Sequence, residues 1–172
     1  MVDNDMPEPT PEDPRLARAK ADIQRHGWHV VKVLADDSGP AFAYSIGLFQ
    51  TFHHPEILMF GFEPDLMHRV INTVGEEVRS GKTFGSDQQS DDILHGYEVE
   101  FKSVLPQFFD DLVGTALAYY GGPLFPLLQC VLPDKEHRFP WDGECDGWLK
   151  ENQWTFFVER PTVRPPTVNF SD

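Results

Sequence analysis

Apolar residues recur every three or four positions in three segments of the chain, which is the spacing of an amphipathic helix. The first helix is predicted to begin after Asp13, a good N-cap residue, and to end at Gly27. The second follows Glu63 and ends at Gly81, and the third follows Pro106 and ends before a pair of glycines. The apolar faces of the three are Leu16, Ala19 and Ile23; Leu66, Met67, Val70, Ile71, Val74 and Val78; and Phe108, Phe109, Leu112, Val113, Ala116 and Tyr120.

Shorter runs of β-branched and aromatic residues predict about six strands. These runs are 28–35, 41–46, 56–62, 97–104, 124–132 and 154–158. The turn-rich residues 36–40 predict a hairpin between the first two strands. The strand at 56–62 is apolar on both faces, which is typical of an inner strand. The polar residues 86–92 are predicted to form a surface loop.

The order of these elements predicts an α+β fold, because a doubly wound parallel sheet would alternate strand and helix throughout. We expect a single domain over residues 15–160, with a mixed or antiparallel curved sheet of about six strands. About three helices are predicted to pack on one side of this sheet. Residues 1–14, which are acidic and rich in proline, are predicted to be a disordered tail, and residues 161–172 a C-terminal tail.

The charge of the chain limits its partners. It carries 14 Lys and Arg residues against 28 Asp and Glu residues, a formal net charge of −14 at pH 7. Nucleic acids and anionic membranes are themselves negative, so we expect neither as a partner. The N-terminus is acidic where a signal peptide is basic, and no apolar run reaches the length of a membrane span. With only two cysteines, the sequence predicts a cytoplasmic protein.

Several familiar motifs are incomplete. The seven histidines include no His-Glu-x-x-His pair, and neither cysteine lies near the other, so no metal site is predicted. Residues 81–83 (Gly-Lys-Thr) follow a predicted helix, whereas the phosphate-binding loop that ends in these residues precedes one. Ser45 lies in a strand without the glycines of a nucleophile elbow. The chain therefore offers no complete catalytic motif.

Two parts of the sequence place aromatic and polar residues where folding alone does not require them. Gln129 is an amide in an apolar strand and needs buried hydrogen-bond partners. Asp134 follows a proline and is expected to cap or orient a turn. Large aromatic residues with one polar edge are typical of a ligand cleft or of a surface that contacts a partner. The predicted cleft is bounded by His26, Trp28, Tyr44, His54, Gln129, Asp134 and Trp141.

In these same segments the sequence resembles a bacterial family of unknown function, the DUF4262 proteins. The shared elements are Gly27-Trp28, Tyr44–Leu48, Pro55-Glu56, Tyr119–Gly121, Leu128–Asp134 and Phe139–Trp141. The resemblance covers about residues 20–158. The chain departs from the family pattern at Leu132, where an aromatic residue usually precedes Pro-Asp. The resemblance implies no particular reaction.

The leading hypothesis is a binding or interaction module with an aromatic cleft and an acidic surface. An acidic surface favours a basic protein or peptide by electrostatic complementarity, although a small molecule also fits a cleft. Trp28, Tyr44, Ser45, Gln129 and Trp141 are the candidate ligand-binding residues. The sequence does not indicate an oligomeric state.

Two alternatives remain open at this point. A small-molecule enzyme would use His26 or His54 as general base and Asp134 to orient it, because histidine titrates near neutrality. A flavin-binding protein is suggested by a small β-rich domain of this length, but few basic residues other than Arg138 are available for a flavin phosphate. The cofactor, if there is one, is unknown from the sequence.

Overall fold

The computed structural model describes residues 10–157 of the 172-residue chain. Residues 1–9, which make up most of the predicted N-terminal tail, lie outside the described residues. The predicted C-terminal tail, residues 161–172, also lies outside them. The two tail predictions therefore stay predictions.

Six strands form one mixed sheet in the order β1-β2-β3-β6-β5-β4. Their bounds are β1 His29–Val33, β2 Phe42–Ile46, β3 Glu56–Phe60, β4 Gln89–Leu94, β5 Tyr97–Ser103 and β6 Leu127–Val131. Strands β3 and β6 are parallel, and every other neighbouring pair is antiparallel. In the hairpin, Val31 of β1 lies opposite Tyr44 of β2. The predicted α+β fold with a mixed six-stranded sheet is confirmed.

The described residues contain six α-helices, more than the three predicted. Their bounds are α1 Pro14–His26, α2 Leu48–Phe52, α3 Pro64–Arg79, α4 Phe109–Leu112, α5 Gly114–Tyr120 and α6 Gly147–Asn152. The Asp13 side chain accepts a hydrogen bond from the Arg15 backbone N–H, and Gly27 ends α1 at a φ of 98°. The predicted third helix is a 3₁₀ turn followed by α4 and α5, which are separated at Val113, where φ is −126°.

Helices cover both faces of the sheet, so the prediction that they pack on one side is wrong. In β3, Ile57 and Met59 join the apolar cluster under α3. Leu58 and Phe60, which alternate with them, join the cluster that includes residues of α1, α4 and α5. Because side chains alternate along a strand, a strand that is apolar on both faces needs a cover on each side.

Two further predictions, one of a loop and one of a strand, are also wrong. Residues 89–94 form the edge strand β4 rather than a loop. The sequence of β4 is polar because Ser90 and Ile93 are the buried residues of this strand, and its other side chains are exposed or half-buried. Residues 154–157 are not a strand. The Leu105 backbone N–H donates to the Phe156 carbonyl, and the Gln129 side chain forms hydrogen bonds with the backbone of Trp154 and Phe156. These contacts fix residues 154–157 in place of the backbone hydrogen bonds of a β-ladder.

Candidate functional site

A large groove runs along the outer edge of β1, which is one of the two edge strands of the described sheet. The cavity has a volume of about 1210 Å³. One wall comes from α1, through Arg15, Arg18, Asp22 and His26. The opposite wall comes from α3, through His68, Asn72, Glu76 and Arg79. Since the two helices lie on opposite faces of the sheet, the β1 edge is recessed between them. We call this cavity the β1 groove.

Trp28 forms the floor of the β1 groove at the α3 wall. Its ring lies directly against Gly75, where an added Cβ would come within 2.5 Å of the indole. The indole N–H donates to Asn72 Oδ1 at 2.9 Å, and the Arg79 guanidinium stacks 4.6 Å from the ring centroid. The side chain is only 6% exposed. Trp28 is therefore fixed in place by α3.

Tyr44 lines the groove from β2, on the face covered by α1 and α5. Its hydroxyl oxygen accepts a hydrogen bond from the Thr115 backbone N–H at 3.3 Å. Burial raises the pKa of the Tyr44 hydroxyl above its ordinary value. Tyr44 therefore contributes a neutral phenol to the groove at physiological pH.

An imidazole and a carboxylate meet at the edge of β1. His29 Nδ1 lies 2.7 Å from Asp22 Oδ2 of α1, and both side chains are partly shielded from solvent.

Across the edge of β1, His68 Nε2 of α3 lies 3.4 Å from the amide nitrogen of Asn72. Burial, followed by the positive charge of Lys32, lowers the pKa of His68.

The lining of the groove is electrically balanced, although the chain as a whole is strongly acidic. Equal numbers of basic and acidic side chains face the cavity: Arg15, Arg18, Lys32 and Arg79 against Asp22, Glu76, Asp110 and Asp111. Within residues 10–157, Arg79 forms an ion pair with Glu76 of the same lining, and Lys32 forms one with Asp65, which does not line the groove. The local field in the groove therefore differs from that of the rest of the molecule.

Ser45 lies outside the groove, in a cluster around the fully buried Glu56. Glu56 Oε2 accepts from the Ser45 hydroxyl at 2.5 Å. Glu56 Oε1 accepts from the backbone N–H groups of Gly47 at 2.7 Å and Phe49 at 3.2 Å, and from the Tyr120 hydroxyl. Burial is the largest influence on Glu56 and raises its pKa. This Glu56 cluster, which consists of these five residues, ties α2 and α5 to the end of the sheet.

Asp134 organises a surface loop over residues 134–146, which we call the Asp134 loop. Its carboxylate accepts from the backbone N–H groups of Glu136, Arg138 and Asp146 at 2.9–3.0 Å, and from Arg138 Nε at 3.0 Å. Burial alone would raise its pKa, but the backbone donors and the guanidinium lower the pKa to about 2. The expected role of Asp134 in a turn is confirmed.

Gln129 and Trp141 hold the C-terminal part of the described chain. Gln129 Nε2 donates to the Trp154 carbonyl at 2.6 Å, and Gln129 Oε1 accepts from the Phe156 N–H at 3.1 Å. Trp141 stacks on Phe139 with ring centroids 4.9 Å apart, and the Phe157 ring lies edge-on to Trp141 with centroids 5.6 Å apart. The buried amide thus has the partners that its position requires.

The two predicted catalytic histidines differ in their surroundings. His54 is buried, with Nδ1 2.8 Å from the Pro55 carbonyl and Nε2 accepting from the Phe84 N–H at 2.9 Å. Burial lowers the pKa of His54, so its imidazole is neutral and both nitrogens are occupied. His26 is exposed and lines the groove. Neither forms a hydrogen bond with Asp134 in the described structure.

Of the eight predicted site residues, the structure brings three together in the groove: His26, Trp28 and Tyr44. The other five, Ser45, His54, Gln129, Asp134 and Trp141, do not line it. The sequence analysis missed His29 and Asp22, which are seven positions apart and meet only because α1 folds back on β1. It also missed Glu56, an acid at the start of an apolar strand, which was a visible signal of a buried carboxyl.

The described residues contain no group of three or more His, Cys, Asp or Glu side chains placed to hold a metal ion. Cys130 and Cys145 are both buried free thiols. Burial raises the pKa of Cys130 to about 12, and burial together with the charge of Asp134 raises the pKa of Cys145 to about 11. Between residues 10 and 157, every helix is too short or too polar to cross a membrane.

Comparison with known proteins gives one match. A family model described as "Domain of unknown function (DUF4262)" matches residues 22–146, a span that contains all six strands, most of the β1 groove, the Glu56 cluster and the Asp134 loop. No curated protein and no solved structure matches the chain.

Proposed function

The chain belongs to the DUF4262 family, and we propose that its domain is a binding module that takes an extended polypeptide segment along the outer edge of β1. The observation that carries this proposal is the recessed β1 edge between α1 and α3. An edge strand presents backbone N–H and C=O groups that no neighbouring strand satisfies. An extended segment can pair with them as an added strand, and its side chains then enter the space beside the strand.

The size of the cavity supports an extended ligand. Pockets for small molecules have volumes of roughly 300–1,000 Å³. The β1 groove is larger, at about 1210 Å³, and follows the length of the strand. The five residues of β1 span roughly 17 Å, since a strand rises about 3.3 Å per residue. A segment of similar length matches this edge better than a compact metabolite does.

The recess also argues against pairing between two copies of the chain. Two sheets join edge to edge only when the outer strands come within about 4.8 Å of each other. Side chains of α1 and α3 border the cavity on both sides of β1, so in a dimer they would face the same side chains of the second copy. A single extended segment meets no such obstacle.

A basic partner is favoured by the charge of the chain. The net charge of −14 attracts a positive segment at long range. Inside the groove, Asp110 and Asp111 offer carboxylates that form no ion pair within residues 10–157. Arg15 and Arg18 line the same groove, so the acidic field comes from the rest of the molecule.

The test is a binding experiment with a defined peptide, followed by NMR. An acetylated and amidated six-residue peptide of alternating Lys and Val is titrated into the isotope-labelled full chain. We expect backbone amide shifts and slowed amide exchange at 29–33. The second edge strand, β4, is the internal control and should not respond.

A matched peptide with alternate backbone nitrogens methylated separates strand addition from simple charge attraction. This peptide keeps its charge but loses the N–H groups that pair with a strand edge, so its binding should be lost. Equal binding of the two peptides, shifts at β4 instead of β1, or no binding at all would each contradict the proposal.

The pair His29–Asp22 favours one second candidate, the small-molecule enzyme. An imidazole oriented by a carboxylate at 2.7 Å is the arrangement expected of a general base, and it lines the groove. This pair would take the role that the sequence analysis gave to His26 or His54 with Asp134. Turnover of a small substrate that is lost in His29→Gln, with peptide binding at 29–33 absent, would favour the enzyme.

A further inference from the structure

Histidines are concentrated in the β1 groove. Three of the seven in the chain line this cavity, each from a different element: His26 from α1, His29 from β1 and His68 from α3. The remaining four do not line it. Histidine is the residue type whose charge ordinarily changes between pH 5 and 8. A mild change of pH therefore acts on this cavity more than on other parts of the surface.

The groups that face these imidazoles come from every element around the groove. His29 contacts Asp22 of α1, and His68 lies beside Asn72 and within the fields of Lys32 and Asp65. His26 is the last residue of α1, and its carbonyl accepts from the Arg79 guanidinium. The other charged groups that face the cavity are Arg15, Arg18, Glu76, Asp110 and Asp111.

Protonation changes the sign of the lining. When the three imidazoles are neutral, the basic and acidic side chains of the groove are equal in number. Each imidazole that gains a proton adds one positive charge to this lining, so three protonated imidazoles leave it with three positive charges in excess. Screening at physiological ionic strength weakens an interaction over a length of about 8 Å, so a change of charge in this lining affects a bound segment more than the same change farther away.

We propose that the β1 groove releases a basic polypeptide segment on mild acidification, because its three histidines turn a balanced lining positive. This inference rests on the proposed function, since it concerns the regulation of the same site. The groove would hold the segment at neutral pH, where the acidic chain attracts it. Below neutrality, the new charges repel the lysines or arginines of the segment.

The test measures affinity at two pH values. The Lys-Val peptide carries a fluorescent label, and its fluorescence anisotropy is followed with the full chain at pH 7.5 and 5.5 at constant ionic strength. One unit charge about 8 Å away in water changes affinity by a factor of about two to three. Three such charges set an upper limit of about a tenfold weaker affinity at pH 5.5, and His68 is the last of the three to contribute because its pKa is lowered. A matched peptide of alternating Thr and Val should bind equally at both pH values.

Two triple variants separate the groove from the rest of the chain. The groove variant is His26→Gln, His29→Gln and His68→Gln. The control variant is His53→Asn, His95→Gln and His137→Asn, with Asn at the two positions whose φ is positive. We expect the weakening at pH 5.5 to vanish in the groove variant and to persist in the control. Equal pH dependence in both variants, or none in the wild type, would overturn the inference.

A second measurement does not depend on the folding of a variant. Linkage requires that a basic peptide whose binding is weakened by protonation also lowers the pKa values of the histidines responsible. NMR titration of the wild-type imidazoles with and without peptide should show this shift at His26, His29 and His68. Peptide binding at 29–33 without such a shift contradicts this inference but leaves the proposed function standing. Failure of all peptides to bind at pH 7.5 contradicts both.

Discussion

Glu56 and Asp134 are two enclosed carboxylates with four hydrogen-bond donors each, and their pKa values move in opposite directions. Glu56 is fully buried between the sheet and two helices, its donors are uncharged, and its pKa is raised. Asp134 is 7% exposed in a surface loop, one donor is the Arg138 guanidinium, and its pKa falls to about 2. The number of donors alone does not decide whether a carboxyl ionises. The balance between burial and the donors decides it: burial prevails at Glu56, whereas at Asp134 the backbone N–H groups, together with the guanidinium, outweigh burial.

The largest effect is expected from Glu56→Ala. The substitution leaves the Ser45 and Tyr120 hydroxyls and two backbone N–H groups without their acceptor in the interior. Since each unsatisfied buried group costs about 1–3 kcal/mol, we expect a loss of about 3–5 kcal/mol in the free energy of unfolding. Urea denaturation followed by circular dichroism measures this loss.

Glu56→Gln is the matched control, because it keeps the shape and one acceptor oxygen and should cost only about 1–2 kcal/mol. It also removes the titration of Glu56. A buried carboxyl with a raised pKa loses stabilisation as pH rises from the ordinary value of 4.5 through the raised one. The wild type should therefore show this slope and Glu56→Gln should lack it. Equal losses for Ala and Gln would contradict this prediction, because they would show that the acceptor oxygen retained by Gln contributes nothing.

A smaller effect with the opposite dependence on pH is expected from Asp134→Asn. Asparagine keeps one acceptor oxygen but turns its amide N–H₂ toward backbone donors, so we expect a melting temperature about 3–6 °C lower at pH 7. A depressed pKa stabilises the fold above the ordinary value of 3.8, and this stabilisation is lost as pH falls toward about 2. The difference from wild type should therefore shrink between pH 4 and pH 2. A constant difference over that interval would contradict the role of the ionised carboxylate.

The smallest effect is expected from Arg138→Gln, which separates the charge of the partner from the depth of burial. The backbone donors of the Asp134 loop remain, so the melting temperature should fall by only about 1–3 °C. The pKa of Asp134, followed by NMR of its carboxyl carbon, should rise toward 3.8. If the pKa of Asp134 stays at about 2, the backbone N–H groups and the shallow position of the loop are sufficient to keep it low without the Arg138 cation.

The same two regions show how far the sequence predicts the structure. The turn role of Asp134 was predictable because all of its donors lie within 12 residues, immediately after Pro133. The donors to Glu56 come from α2, from β2 and from Tyr120, which is 64 positions away, so no local pattern reveals them. The ends of α1 were predictable for the same reason as the turn, since Asp13 and Gly27 act on their own helix.

The errors arose where distant parts of the chain decide the structure. The strand at 89–94 is polar because it lies at an edge, and only its pairing with β5 distinguishes it from a loop. The cover on both faces of β3 depends on where α1 and α3 pack, although the apolar pattern of the strand already required a cover on both faces. In the groove, Trp28 and His26 belong to motifs read from the sequence, whereas the contact of His29 with Asp22 depends on the packing of α1 against β1.

The two free thiols give the molecule a pair of internal reporters, one for the sheet and one for the Asp134 loop. Cys130 lies in β6, and Cys145 lies within the Asp134 loop. Because burial keeps both thiols protonated, an alkylating reagent reacts only when the surrounding structure opens. The labelling rate of each single-cysteine variant therefore gives the opening free energy of its own region, and the ratio of the two rates tells whether the loop opens separately from the sheet.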